Sequence, residues 1–313
     1  MEMNTETIEM DAARCNSIET HVLNPNEHGC ALVIQREAGR PAFVQSHLPG
    51  AKWAWFALIA ALTVFPFLPA SALAQSNYEI QIYGSELVAP GKTLFELHNN
   101  FTFVGTKQVE DGFLPTEHQD HETVEITHGF TDYFETGFYI FTAYTPGHGY
   151  SWVGDHIRPR FAIPESWHWP VGLSISNEIG YARPPWAPDT WTWEIRPIID
   201  KQMGRFYWSI NPDFDRSFHG PSKSKGYEFE PQGKISYNVT KLIAVGAEYY
   251  TSLGDITGFD PLTEQSHQIF GVIDLNVGPK WEVEFGPGWG LTRGGDSPDH
   301  MILKLILGRR FDW

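Results

Sequence analysis

From Thr93 to Trp313 the chain reads as about a dozen segments of alternating apolar and polar residues, each roughly ten residues long. Phe95, Leu97, Phe101 and Phe103 alternate with Glu96, His98, Asn100 and Thr102. Trp191, Trp193 and Ile195 alternate with Thr192, Glu194 and Arg196, and Trp281, Val283 and Phe285 with Glu282, Glu284 and Gly286. Successive side chains of a strand point to opposite faces, so each segment has one apolar face and one charged face. A slip of one residue would turn every carboxylate onto the apolar side, so the register is strongly specified. In a chain with 12 Trp, 12 Tyr and 21 Phe, this pattern predicts an all-β fold, a transmembrane antiparallel β-barrel. A soluble β-sandwich also alternates, but aromatics crowded near strand ends suit the interfacial girdles of a membrane barrel.

The alternation predicts strands at 93–104, 121–130, 133–145, 150–163, 170–181, 189–199, 205–214, 225–238, 242–252, 265–277, 281–291 and 300–313. That is about twelve, and single-chain bacterial barrels have even strand numbers. Connectors 131–132, 164–169, 200–204, 239–241 and 278–280 read as short periplasmic turns. Those at 105–120, 146–149, 182–188, 215–224, 253–264 and 292–299 are mostly longer and read as outside loops. Both ends of the barrel chain then share the periplasmic side. Pro159, Pro197, Pro212, Pro231 and Pro287 fall inside these strands on the apolar face. Each lacks a ladder donor and is expected at a bulge or a bend.

Ahead of the barrel, residues 51–74 carry Lys52, an apolar run from Trp53 to Leu68, and Ala72-Leu73-Ala74. A basic flank, a short apolar core and an A-x-A site predict a signal peptide cleaved before Gln75. The run is short for a spanning helix, and Pro66 and Pro69 break its end. Residues 1–50 lack periodicity and read as a disordered leader or the product of a start assigned too early. Residues 75–92 are expected as a periplasmic N-terminal segment before a barrel at 93–313. Cys15 and Cys30 both lie in the leader, so the exported chain relies on no disulfide. Removing the leader's four basic and seven acidic residues from 22 and 38 leaves 18 against 31, a net −13. That charge excludes nucleic acid as a natural partner.

Three stretches, ITHGFTDYFETGFY (126–139), YNVTKLIAVGAEYY (237–250) and GPKWEVEFGPGWGLT (278–292), combine a strand with a short turn. In them the chain resembles uncharacterised bacterial outer-membrane β-barrel proteins, the group named for the meta-pathway of phenol degradation. The resemblance covers most of 77–313 and implies barrel and location. It carries over no catalytic or binding residue.

The polar face supplies the candidate lumen residues: Glu96, His98, Glu125, Glu135, His156, Arg158, Arg160, Glu178, Glu194, Arg196, Asp213, Glu228, Glu230, Lys234, Glu248, Glu282, Glu284, Lys304 and Arg310. Asp200, Asp215 and Asp274 join them. Cross-strand ion pairs could close such a lumen; alternatively its carboxylate excess could line a narrow path favouring cations or neutral solutes. His118, Asp120, His121 and Glu122 could hold zinc, but strand alternation would split them, and a solvated loop is the plainer reading. Asp296, Asp299 and His300 are weaker candidates still. Ser252 and Ser266-His267 are the best candidates for a phospholipase-like hydrolase, yet no nucleophile elbow or partner accompanies them.

The sequence therefore predicts a Gram-negative outer-membrane barrel acting as a passive, porin-like channel for small solutes, with no catalytic residue, metal or cofactor. A plugged structural or ligand-binding barrel and an outer-membrane hydrolase are the alternatives. The expected partners are outer-membrane lipids, small solutes and the barrel-assembly machinery, the last through the C-terminal strand ending at Trp313.

Overall fold

A computed structural model describes residues 78–109, 112–292 and 299–312. Its twelve strands are β1 (Lys92–Val104), β2 (Asp120–Thr131), β3 (Phe134–Thr145), β4 (Gly149–Ala162), β5 (Gly172–Ala182) and β6 (Trp191–Met203), then β7 (Phe206–His219), β8 (Glu228–Asn238), β9 (Ile243–Ser252), β10 (Ser266–Leu275), β11 (Trp281–Gly290) and β12 (Met301–Asp312). Each pairs antiparallel with its sequence neighbours, and β1 pairs with β12, so the sheet closes into a barrel. Closure leaves no edge strand, which is what a sheet surrounded by lipid requires.

Alternation sets the two faces. In β12, Ile302, Lys304 and Ile306 are buried while Leu303, Leu305 and Leu307 are exposed. Exposed aromatics such as Phe138, Trp152, Phe161, Trp191 and Trp289 continue the apolar outer belt. The signal peptide and the residues before it lie outside the described residues, as does Trp313.

Strand positions agree with the alternation to within a few residues, except where hairpins run on. β6 and β7 extend to Met203 and His219, past 199 and 214. For β6 the reason is a tight turn at Gly204 (φ +64°), which lets polar Lys201 and Gln202 stay in the ladder; β7 runs on at its other end, where Arg216, Ser217 and His219 pair with Trp193, Thr192 and Trp191. β8 starts at Glu228, later than expected, after a 3-10 turn at Pro221–Ser224 and a link in which the Gly226 amide donates to Asp255.

The prolines require a correction. All five sit on the outer face, half-buried, but none makes a bulge. Register shifts fall at Thr102/Val104, Gly129/Thr131, Phe141/Thr142 and Trp191/Thr192, away from every proline. Between β6 and β7 the ladder pauses after Ile195–Phe214 and resumes at Ile199–Ile210 in the same register. That register sets Pro197 opposite Pro212, so two missing donors share one gap. Pro212 in turn pairs with Pro231 of β8. Similar pauses beside Pro159 (β4–β5) and Pro287 (β10–β11) also keep register. Prolines confined to one side of a strand remove ladder bonds locally without adding a residue.

Residues 78–91 hold the larger surprise. Tyr78, Glu79, Ile80, Gln81, Ile82, Tyr83 and Val88 are all buried. The segment expected as a periplasmic lead is threaded against the inward face of the barrel. It packs in two clusters: Ile80 and Ile82 with Tyr250, Phe270, Val272 and Ile302, and Tyr78 with Tyr139, Phe141, Ala143 and Val153. The interior is thus partly aromatic, in addition to the carboxylates and arginines that the alternation places there.

Candidate functional site: the barrel interior and its threaded segment

The threaded segment forms no strand, so its backbone groups must find partners on the wall. Thr123 Oγ1 donates to Tyr78 O at 2.7 Å and Lys304 Nζ to Ile80 O at 3.2 Å. The Tyr83 amide donates to Asn211 Oδ1 (2.8 Å), and Tyr83 O accepts from Ser209 Oγ (2.6 Å) and Asn211 Nδ2 (3.1 Å). Farther along, the Val88 amide donates to Glu135 Oε2 at 2.6 Å, and Arg160 donates to Gly84 O. These partners come from β2, β3, β4, β7 and β12, so the segment ties together distant parts of the wall.

Tyr83 is the centre of this arrangement. The guanidinium carbons of Arg158, Arg196 and Arg160 lie 4.5, 5.0 and 5.6 Å from its ring centroid. Its hydroxyl donates to Glu79 and meets Tyr139 Oη at 3.1 Å. Cations over a desolvated aromatic face attract it through the ring quadrupole. Two wall glycines make room for the chain. A Cβ on Gly129 would stand 2.0 Å from Val88 O, and one on Gly172 2.0 Å from Ser85 Oγ.

All nineteen candidate residues occupy inward-facing register positions, and the cations among them are all paired. Arg158 Nη2 reaches Glu125 (2.5 Å) and Glu135 (3.9 Å), and Arg160 Nη1 reaches Glu135 (3.5 Å). Arg196 holds Asp213 (2.9 Å), Glu194 (2.8 Å) and Glu79 (3.6 Å). Lys234 bridges Glu248 (3.2 Å), Asp274 (2.7 Å) and Glu284, while Lys304, fully buried, joins Glu248 and Glu284. Arg310 pairs with Glu282 at 3.0 Å, half-exposed near the end of β12. His156 Nδ1 contacts Glu178 at 2.5 Å, and Lys225 meets Glu228 at 3.5 Å. Asp200 accepts from Ser85 (2.5 Å) and Tyr207 (2.9 Å). Glu230 and Asp215 form no ion pair among the described residues. Glu96 and His98 lie together with Glu125, their ligand atoms within 4.8 Å of one another.

A cavity of about 430 Å³ lies at the short-turn end of the interior. Glu96, Arg158, Arg160, Lys234, Glu284 and Arg310 line it, with Gln81 to Gly84 of the threaded segment along one side. The sequence candidates left out Glu79 and Tyr83 of the segment itself and the wall residues that hold it, Tyr139, Tyr250, Ser209 and Asn211, although alternation places Ser209 and Asn211 on the polar face. One signal was present. Tyr78, Ile80 and Ile82 alternate with Glu79 and Gln81, an unusual pattern for a free tail.

The loop candidates do not converge. His121 points inward against Tyr78 (ring centroids 4.6 Å apart), Asp120 accepts from Asn99, and Glu122 accepts from Tyr150. His118 adopts φ +58° with its ring stacked on Phe101. Asp299 is held by Thr116, His300 is tied through its backbone to Val104, and Asp296 lies outside the described residues. Ser266 and His267 sit on opposite faces of β10. Ser266 is buried opposite Ser252, whereas His267 bonds Tyr249 and Gln265 on the outer side, so the two form no dyad.

No protein-family model matches the chain, and no curated protein matches it in sequence. Among solved structures it is similar to the COG4313 outer membrane channel from Pseudomonas putida F1. The identity is 12% over 74% of this chain and 100% of that chain, with a TM-score of 0.51. It also matches the NanC porin (7% identity, 70% of this chain and 100% of that chain, TM-score 0.48). The KdgM porin gives 9% identity over 70% and 99%, with a TM-score of 0.44. At this identity the first of these likenesses supports one conclusion, that the chain has the fold of an outer-membrane β-barrel channel.

Proposed function

We propose that this protein is an outer-membrane barrel that passes small solutes through its interior, with residues 78–91 as the constriction. The observation that carries the proposal is the 430 Å³ cavity at the short-turn end of the interior, with the threaded segment along one side from Gln81 to Val88. A fixed excess of inward carboxylates over Lys and Arg would bias such a path toward cations and neutral solutes. The Pseudomonas putida barrel of the same fold is an outer membrane channel, which agrees with this reading. Membership of the phenol meta-pathway group belongs to the same proposal, supported by stretches 126–139 and 237–250 falling on the β2–β3 and β8–β9 hairpins. The belt of exposed Leu303, Leu305 and Leu307 suits lipid contact. The strand carrying it, β12, would be the segment that the barrel-assembly machinery engages. No catalytic role is proposed, since the Ser–His pair is split across the wall.

One observation favours a second reading, a plugged barrel without transport. Tyr78 to Tyr83 are buried and bonded from several sides, as a permanent filling would be. Planar-bilayer recording of the refolded full chain in a KCl gradient separates the two. Small, cation-biased steps, growing severalfold in Tyr83→Ala, are expected for a path constricted by the segment. Silence from both proteins, each shown folded by heat-modifiable migration, would reject conduction.

A further inference from the structure

On the wall of β1 and β2 lies a group that the ion-pair network leaves unfinished. Glu96 and His98 are two residues apart on β1 and therefore share a face, and the register sets Glu125 of β2 directly opposite Glu96. All three are buried, His98 and Glu125 completely. Like charges directly opposite across a ladder destabilise it unless something neutralises them. Arg158 and Thr127 satisfy only Glu125 Oε1, at 2.5 and 2.6 Å. Among the described residues, Glu125 Oε2, Glu96 Oε1 and both ring nitrogens of His98 have no hydrogen-bond partner. His98 Nε2 approaches Glu125 Oε2 at 3.4 Å, without hydrogen-bond geometry. One carboxylate oxygen from each Glu and an imidazole nitrogen lie within 4.8 Å of one another.

We propose that Glu96, His98 and Glu125 form a binding site for a divalent transition-metal ion of the zinc class. As metal ligands two carboxylates and an imidazole carry two negative charges, of which Arg158 offsets part on Glu125, and a divalent ion balances the remainder. The imidazole selects against magnesium and calcium, which take oxygen ligands almost exclusively. Three protein ligands leave a coordination position for water, and Glu96 borders the cavity, which gives the ion an entry path from the short-turn end. Arg158 holds the outer oxygen of Glu125 and so orients the inner one, the role that hydrogen-bonded outer partners usually play around ligating carboxylates. The site stands on local geometry and does not depend on whether the barrel conducts.

The test is calorimetric titration of the chelator-treated, refolded full chain with Zn²⁺, repeated with Co²⁺ while recording its visible absorption. Wild type and His148→Gln, which removes an exposed loop imidazole, should take up one equivalent and give cobalt bands of a low-coordinate site. Glu96→Gln and His98→Gln should each weaken binding at least about 100-fold, since even outer-shell partners change metal affinity by ~10–100-fold. Where a variant fails to fold, wild type decides alone. One equivalent bound by the folded barrel, and not by the same chain in denaturant, supports the site. No stoichiometric uptake by folded wild type overturns it, as does uptake unchanged in both folded variants. Resistance to denaturation that rises in Glu96→Gln, with no metal bound by wild type, would identify a proton shared between the carboxylates and also overturn it.

Discussion

The wall and the segment threaded through it are held by different kinds of interaction. In the wall nearly every residue pairs with a neighbouring strand, and pauses beside the prolines do not shift the register. Residues 78–91 have no ladder and depend mainly on side chains: Thr123, Arg160, Asn211 and Lys304 bond their backbone from four strands, and Gly91 alone donates its amide to a wall carbonyl, that of Gly129, among the described residues. The wall can therefore lose one contact and keep its path, because adjacent ladder bonds still define it. Loss of a single anchor such as Tyr83 would release several residues of the segment together. The contrast assigns stability mainly to the wall, and adjustability to the segment.

Neighbouring residues of β12 allow the contrast to be broken first where the two regions meet. Lys304→Met would strand Glu248 and Glu284 without their shared cation and remove the donor to Ile80 O. Breaking a buried pair in this way costs about 3–5 kcal/mol. The urea midpoint of the heat-modifiable band should fall sharply, and channel activity should change with it. Leu305→Arg, one residue on, tests the wall alone. A charge on the lipid face near the midplane costs about 2–4 kcal/mol, so the midpoint should fall while single-channel conductance of the surviving barrels stays unchanged.

Smaller effects should isolate the segment. Gly129→Ala forces a Cβ against Val88 O, an overpacking of about 1–3 kcal/mol. Displacement of 88–91 would relieve it, so trypsin should cut near Lys92 faster than in wild type while the barrel band persists. Tyr83→Phe keeps the ring beneath the three arginines and removes only the hydroxyl bonds to Glu79 and Tyr139, at about 0.5–1.5 kcal/mol each. A slight rise in open-channel noise, with an unaltered urea midpoint, is the expected outcome. A large drop in that midpoint would show that the segment stabilises the wall and erase the contrast.

Much of the wall was legible because its information is local. Leu303, Lys304 and Leu305 state by their order alone which side each faces, once strand period and a closed sheet are granted. The outward side of all five prolines was legible for the same reason. Their lack of bulges was not, because it depends on Pro197 and Pro212 meeting in one gap between two strands. Glu96 and His98 could be assigned to one face from sequence, but the approach of Glu125 required the β1–β2 register.

The amino-acid sequence by itself determined the strand number, the alternation of faces and the charged character of the inner wall, since a two-residue period is written in adjacent residues. Only the tertiary structure decided that the segment from Tyr78 to Val88 packs against the inner wall. Tyr83 meets Asn211 at a separation of 128 residues and Lys304 meets Ile80 at 224, and no local pattern encodes partners that far apart. Closing the barrel brings them within reach, and the need to satisfy buried backbone groups then holds the segment where those side chains converge.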